Sequence, residues 1–205
     1  MLLLQPMKPT LNELLDNARE LYEQDKNTEA ASLAREILHL AQSQNEYAAQ
    51  AHALNTLGTT FFNQNLYEEA LENYLQAEKL IEKYVGKQQT VPSLINIAII
   101  YNRQQLFEQA IQTYQRALNF LQGENTSMLH AQIHNGLGNV FSEWGKPREA
   151  FEHFKQVVHI SKTLAIPYGE ALGLSNLACV AIKLKDAIQA QNYARQTLVI
   201  SANSN

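Results

Sequence analysis

His130 and His134 stand four residues apart, a spacing that sets two imidazoles on one face of a helix, close enough to share a transition metal. A zinc hydrolase motif would need a glutamate directly after the first histidine, and Ala131 stands there. No third ligand is evident, and His134 falls in a column that is otherwise leucine, so a satisfied, partly buried histidine is the better account. His39, His52, His153 and His159 have no nucleophile or carboxylate at a recognisable spacing. Cys179, the single cysteine, falls mid-helix, without the helix N-terminus or neighbouring cation that a catalytic thiol would want. The eight glycines form no phosphate-cradling loop. The expected site therefore has no catalytic residue, no metal and no cofactor, and the chain is not expected to be an enzyme.

The elements that position these side chains repeat. YEEALENY (67 to 74), FEQAIQTY (107 to 114) and PREAFEHF (147 to 154) follow one another at forty-residue intervals. Their alanines extend to a column of five: Ala30, Ala70, Ala110, Ala150 and Ala190. Twelve residues before each stands another small residue, Ala18, Gly58, Ala98, Gly138 or Ala178. Small residues on both members of a helix pair let the backbones approach closely. That packing has to offset the cost of glycine in a helix, about 1 kcal/mol relative to alanine.

Large apolar columns flank the small ones at helical spacing. On the first helix they are Leu14, Leu54, Leu94 and Leu174; Leu57, Ile97, Leu137 and Leu177; and Leu21, Phe61, Tyr101 and Phe141. On the second, Tyr74, Tyr114 and Phe154 follow the alanine by four residues. Connectors such as Gln64-Asn65-Leu66, Gln104-Gln105-Leu106 and Trp144-Gly145-Lys146 suit tight helix–helix turns. Pro92, Pro147 and Pro167 stand near helix starts, where a missing N–H is harmless, and Gly86 and Gly123 where second helices should stop. No segment keeps a period of two, so the fold class is all-α, with no strand.

The columns leucine, small, aromatic, alanine, aromatic, alanine resemble the tetratricopeptide repeat (TPR), as in LNTLGTTFFNQNLYEEALENYLQAEKL (54 to 80) and HNGLGNVFSEWGKPREAFEHFKQVV (134 to 158). The resemblance covers about 11 to 202. The period is forty instead of about 34, and Gln42, Glu82, Gln122 and Lys162 replace the proline that usually ends the second helix. Both departures point to longer helices, similar to the repeats of kinesin light chains, Pins-type adaptors and Rap-type regulators. The resemblance implies a right-handed superhelical solenoid of five antiparallel helix pairs, whose first helices line a concave groove for a peptide or another protein. Ile95, Asn102 and Gly136 are among the positions it places on that groove.

Within the groove positions, Asn55 and Asn135 are eighty residues apart, as are Asn96 and Asn176. A carboxamide both donates and accepts, so a column of them can satisfy the main chain of an extended peptide whatever its side chains. The candidate peptide-binding residues are Asn55, Thr59, Asn96, Arg103, Asn135, Asn139, Asn176 and Lys183. The alternative is that these asparagines solvate an open groove or bond to neighbouring helices. A chaperone-type carboxylate clamp is poorly met, because Arg19, Arg103 and Lys183 lie on separate repeats.

The chain has 205 residues, 18% charged, with a net charge of −4 and both signs interspersed. It offers no basic stripe for nucleic acid and no polybasic surface for anionic lipid. Apolar runs such as Leu2 to Leu4 are far short of the roughly 20 residues that span a bilayer, and they lack the flanks of a secretory signal. With a single cysteine, these features give a cytoplasmic expectation. The expected organisation is an N-terminal extension (1–10), one TPR-like domain (11–202) and a tail (203–205). The repeats fall at about 11–50, 51–90, 91–130, 131–170 and 171–202. The expected function is a non-enzymatic protein–protein interaction module, the repeat portion of a larger signalling or scaffold protein. The alternatives are a regulatory domain that senses a short signalling peptide and controls an attached output domain, or an oligomerisation module. Leu198, Val199 and Ile200 keep the C-terminal repeat apolar, which allows self-association there.

Overall fold

In the computed structural model, which describes residues 9–123 and 126–203, the chain turns back every forty residues through one left-handed residue. These are Asp25, Asn65, Gln105, Gly145 and Lys185, with φ of 59, 61, 60, 76 and 61°. Glycine, asparagine and aspartate adopt this conformation readily; at Gln105 and Lys185 it costs about 1–2 kcal/mol. The same bond closes every turn and offsets that cost. Lys26 N–H donates to Leu21 O, Leu66 to Phe61, Leu106 to Tyr101, Lys146 to Phe141 and Asp186 to Ala181, all at 2.8–2.9 Å. The next helix begins at once, with the N–H of each column alanine, from Ala30 to Ala190, taking its first bond.

The turns separate ten α-helices among the described residues: α1 (Leu11–Glu23), α2 (Asn27–Gln44), α3 (Tyr47–Asn63), α4 (Tyr67–Tyr84), α5 (Val91–Arg103), α6 (Phe107–Phe120), α7 (Met128–Glu143), α8 (Pro147–Thr163), α9 (Pro167–Lys183) and α10 (Ala187–Asn203). A 3-10 turn, Gln88–Thr90, precedes α5. The described residues hold no strand. The fold is all-α, five successive helix pairs. Of the expected extension and tail, residues 1–8 and 204–205 lie outside the described residues, and α10 runs on to Asn203. Pro147 and Pro167 open their helices, and Gly86 and Gly123 follow the ends of α4 and α6 with φ of 147 and 85°.

The helices form two compact units that divide between Ser93 and Leu94. In the first, Ala18, Ile37 and Ala53 form one core cluster, Ala31, Ala34 and Leu57 another, and Ala51, Leu54, Ala77 and Ile81 a third. In the second, Ala150, Phe154 and Val157 of α8 pack with Leu174, Leu177 and Val180 of α9.

The column alanines are buried, Ala30, Ala70, Ala110 and Ala150 completely. The reason for the glycines differs from the expected approach of backbone to backbone. A Cβ on Gly58 would meet the Tyr74 ring at 2.8 Å, and one on Gly138 would meet Phe154 Cε1 at 2.5 Å. Each glycine is a socket for the aromatic ring that follows the alanine on the second helix. The repeat thus uses one small residue to seat a large one.

Candidate functional site

The first-helix faces carry polar rungs that tie one first helix to the next. In the first unit, Ser93 Oγ of α5 donates to Asn55 Oδ1 of α3 at 2.9 Å, whereas Asn63 Nδ2 at the end of α3 donates to Asn27 Oδ1 at the start of α2, a second helix, at 3.3 Å. In the second, Asn176 Nδ2 donates to Asn135 Oδ1 at 2.9 Å, Asn102 Nδ2 to Glu143 Oε2 at 3.0 Å, and Lys183 Nζ to Ser142 Oγ at 2.6 Å. The three partners of the second unit are 41 residues apart, the period plus one. That spacing was available in the sequence as a signal. Ser93, Ser142 and Glu143 are the rung members that the reading of asparagines alone missed.

The candidate residues therefore divide. Asn55, Asn135, Asn176 and Lys183 are rung members. Thr59 is engaged locally: its hydroxyl bonds Asn55 O and the Tyr74 hydroxyl, both at 2.9 Å. Burial pushes Tyr74 up to about 12, so the phenol stays neutral and serves as a seam hydrogen bond. Asn96, half-buried, and the exposed Arg103 and Asn139 have no side-chain hydrogen-bond partner among the described residues. Three positions assigned to the groove are buried instead: Ile95, Asn102 and Gly136. Gly136 lies beneath the Tyr114 ring, whose placement requires a position without Cβ. Asn102 is 9% exposed, with Oδ1 buried and unbonded.

The rungs consume half of each carboxamide. In the Asn135–Asn176 pair the bond uses one acceptor and one donor, leaving Asn135 Nδ2 and Asn176 Oδ1 without a protein partner among the described residues. These are a donor and an acceptor, the complement of a peptide unit.

The histidines take other roles. His130 Nδ1 accepts from Ser127 N–H at 3.2 Å and pairs with Ser127 Oγ at 3.0 Å, closing a capping box on α7. His134 Nδ1 lies 3.0 Å from His153 Nδ1 on α8, and Phe141 stacks on the His153 ring. Desolvation, with the neighbouring His153 and His130 adding to it, lowers His134 to about 4; burial also lowers His153. Protonation is thus easier in the unfolded chain. The stability contributed by the neutral pair is complete above about pH 6.5 and is lost as pH falls from there toward 4. Both rings are partly exposed, so solvent screening reduces the effect to about 1–2 kcal/mol. In thermal melts between pH 7.5 and 4.5, His134→Leu should flatten the pH dependence relative to wild type. Parallel curves would show that the pair does not carry it. Among the described residues no group of three or more metal-ligating side chains occurs, and no helix is long and apolar enough to cross a membrane.

Helix pairs joined by left-handed turns, with rings seated on small residues and polar rungs on the first helices, define a helical-repeat protein. The chain belongs to the family of MalT-like TPR regions, which it matches over residues 17–205. It is 35% identical over 105 residues to photosystem I assembly protein Ycf3 of Parasynechococcus marenigrum (strain WH8102), a match covering 51% of this chain and 56% of that protein. The chain thus spans about half the length of that curated relative. Among solved structures, BtubC (BKLC) from P. vanneervenii superposes with a TM-score of 0.85 at 20% identity, over 95% of this chain and 81% of that one. The kinesin light chain TPR-like repeats of Podosopora anserina give 0.76 at 18% identity, over 95% and 96%. At these identities the two structures show the shared fold alone.

Proposed function

We propose that this chain is a non-enzymatic interaction module of the cytoplasm that takes an extended segment of another protein along the first-helix faces of α7 and α9. The Asn135–Asn176 rung supports this reading most directly. Its bond fixes both carboxamides in orientation and leaves one donor and one acceptor to complete the main-chain bonds of a peptide residue, independent of that residue's side chain. Exposed Asn139, one turn along α7 from Asn135, extends the same polar strip. The likeness to photosystem I assembly proteins supports a protein subunit in the course of assembly as the kind of partner.

Asn135→Asp separates the two halves of the carboxamide. An aspartate still accepts from Asn176 Nδ2 and keeps the rung, but it removes the free donor and adds a charge. Peptides selected on the wild-type chain from a random displayed library should bind Asn135→Asp about tenfold more weakly, about 1.4 kcal/mol, with unchanged melting. Selected peptides that bind both equally would place the contact elsewhere.

A further inference from the structure

His134 departs from its column. The equivalent positions of the other four helix pairs hold Leu14, Leu54, Leu94 and Leu174, so an apolar side chain serves the packing at this height. A half-buried imidazole there carries a desolvation cost that leucine does not. The residue opposite is also particular to this pair: where α8 has His153, the corresponding positions of α2, α4, α6 and α10 hold Leu33, Asn73, Thr113 and Tyr193. Both departures fall in one helix pair and meet, with His134 Nδ1 3.0 Å from His153 Nδ1. The repeat pattern requires neither histidine.

Two converging imidazole nitrogens on different helices are a chelate. Phe141 stacks on the His153 ring at 5.3 Å with the planes 6° apart, so packing holds that ring in place. Burial lowers the pKa of both rings and keeps them neutral at neutral pH, while Glu152 beside His153 works the other way and favours positive charge there. A neutral imidazole offers its Nδ1 lone pair once its proton resides on Nε2, a change of tautomer that releases no proton. His130 takes no part, because its Nδ1 is held by Ser127, and no third ligating side chain joins the pair among the described residues. The chelate therefore bridges α7 and α8 and is not the pair four residues apart on α7.

The separation selects the ion. With metal–nitrogen bonds of about 2.0–2.1 Å, two nitrogens 3.0 Å apart subtend about 94° at the metal, whereas tetrahedral zinc would hold them about 3.3 Å apart. A near right angle suits neighbouring equatorial positions of a tetragonal copper(II) or nickel(II) ion, and copper(II) is the more tightly bound of the two by nitrogen ligands. We propose that His134 and His153 form a two-histidine site for copper(II), in which the ion replaces the proton shared by the two Nδ1 atoms and water fills its other positions. The site lies on the seam between α7 and α8 and does not depend on the peptide reading above.

The test uses the full chain in a Cys179→Ser background, which removes the exposed thiol that copper(II) would oxidise. One equivalent of copper(II) should show two coordinated imidazole nitrogens by electron paramagnetic resonance and should raise the melting temperature, because the ion ties two helices of the folded chain. His134→Leu restores the column residue, and His153→Asn installs the residue that α4 carries at that position. Each should weaken copper(II) binding at least about tenfold and abolish the rise in melting temperature, with helical circular dichroism unchanged. His130→Gln, which preserves a capping box on α7, should bind copper(II) as the parent does. Zinc(II) should bind more weakly than copper(II). No equivalent with two imidazole nitrogens, binding indifferent to His153→Asn, or a loss in His130→Gln as large as in His134→Leu would each overturn the proposal.

Discussion

Phe154→Ala is expected to destabilise the second unit by about 3–5 kcal/mol. Phe154 is 2% exposed and packs among Ala150, Val157, Leu174, Leu177 and Val180, with its ring over Gly138. It therefore touches α7, α8 and α9 at once. The socket beneath it has no Cβ to relax into the space, so truncation leaves a cavity bounded by backbone on one side, the situation in which the cost of a large-to-small change is greatest. The measurement is urea unfolding followed by the fluorescence of Trp144, the only tryptophan, which stacks on Phe107 at 5.7 Å within this unit. A loss under about 1 kcal/mol, the scale of an ordinary surface change, would mean that the ring is not what joins the three helices.

The second large effect is opposite in sign to the one helix propensity gives. Alanine in place of glycine within a helix is worth about 1 kcal/mol in favour of folding. Gly138→Ala should nevertheless destabilise by about 1–3 kcal/mol net, because the new methyl would stand 2.5 Å from Phe154 Cε1 and 2.7 Å from Cδ1 and Cζ. Phe154, buried on every side, cannot swing away. The two substitutions should therefore couple: in Gly138→Ala with Phe154→Ala the added methyl occupies part of the space that the ring vacates. The double variant should be less destabilised than the sum of the singles, by about 1 kcal/mol or more. If Gly138→Ala instead raises the melting temperature, the socket is slack and helix propensity governs that position.

Much of this was legible in the linear chain because it arises from local, repeated contacts. The forty-residue spacing of Asn65, Gln105 and Gly145 marked the turns, and the alanine and aromatic columns marked the helix pairs, since each pair closes on itself within one period. The reason for Gly58 and Gly138 was only half legible. A small residue signals close approach, but whether backbone or a ring fills the space depends on the angle at which Tyr74 and Phe154 cross the opposing helix.

The candidate site was less legible. Reading down the asparagine column assigned Asn55, Asn96, Asn135, Asn139 and Asn176 one shared role. The structure pairs Asn135 with Asn176 and Asn55 with Ser93, while Asn96 and Asn139 stay unpaired among the described residues. It also buries Asn102 and Gly136. What separates these outcomes is the axial offset between one first helix and the next, seen in the period-plus-one spacing of the rungs in the second unit, and a displacement of one residue turns a helical side chain by about 100°. His153 likewise meets His134 only because α7 and α8 run side by side at that height.

The sequence by itself thus determined the helices, their turns and the places where small residues must stand, because each of these is specified by side chains within one forty-residue period. The tertiary structure decided which polar groups are satisfied by neighbouring helices and which remain available, because that depends on how far one helix slides along the next, and no side chain encodes that distance alone.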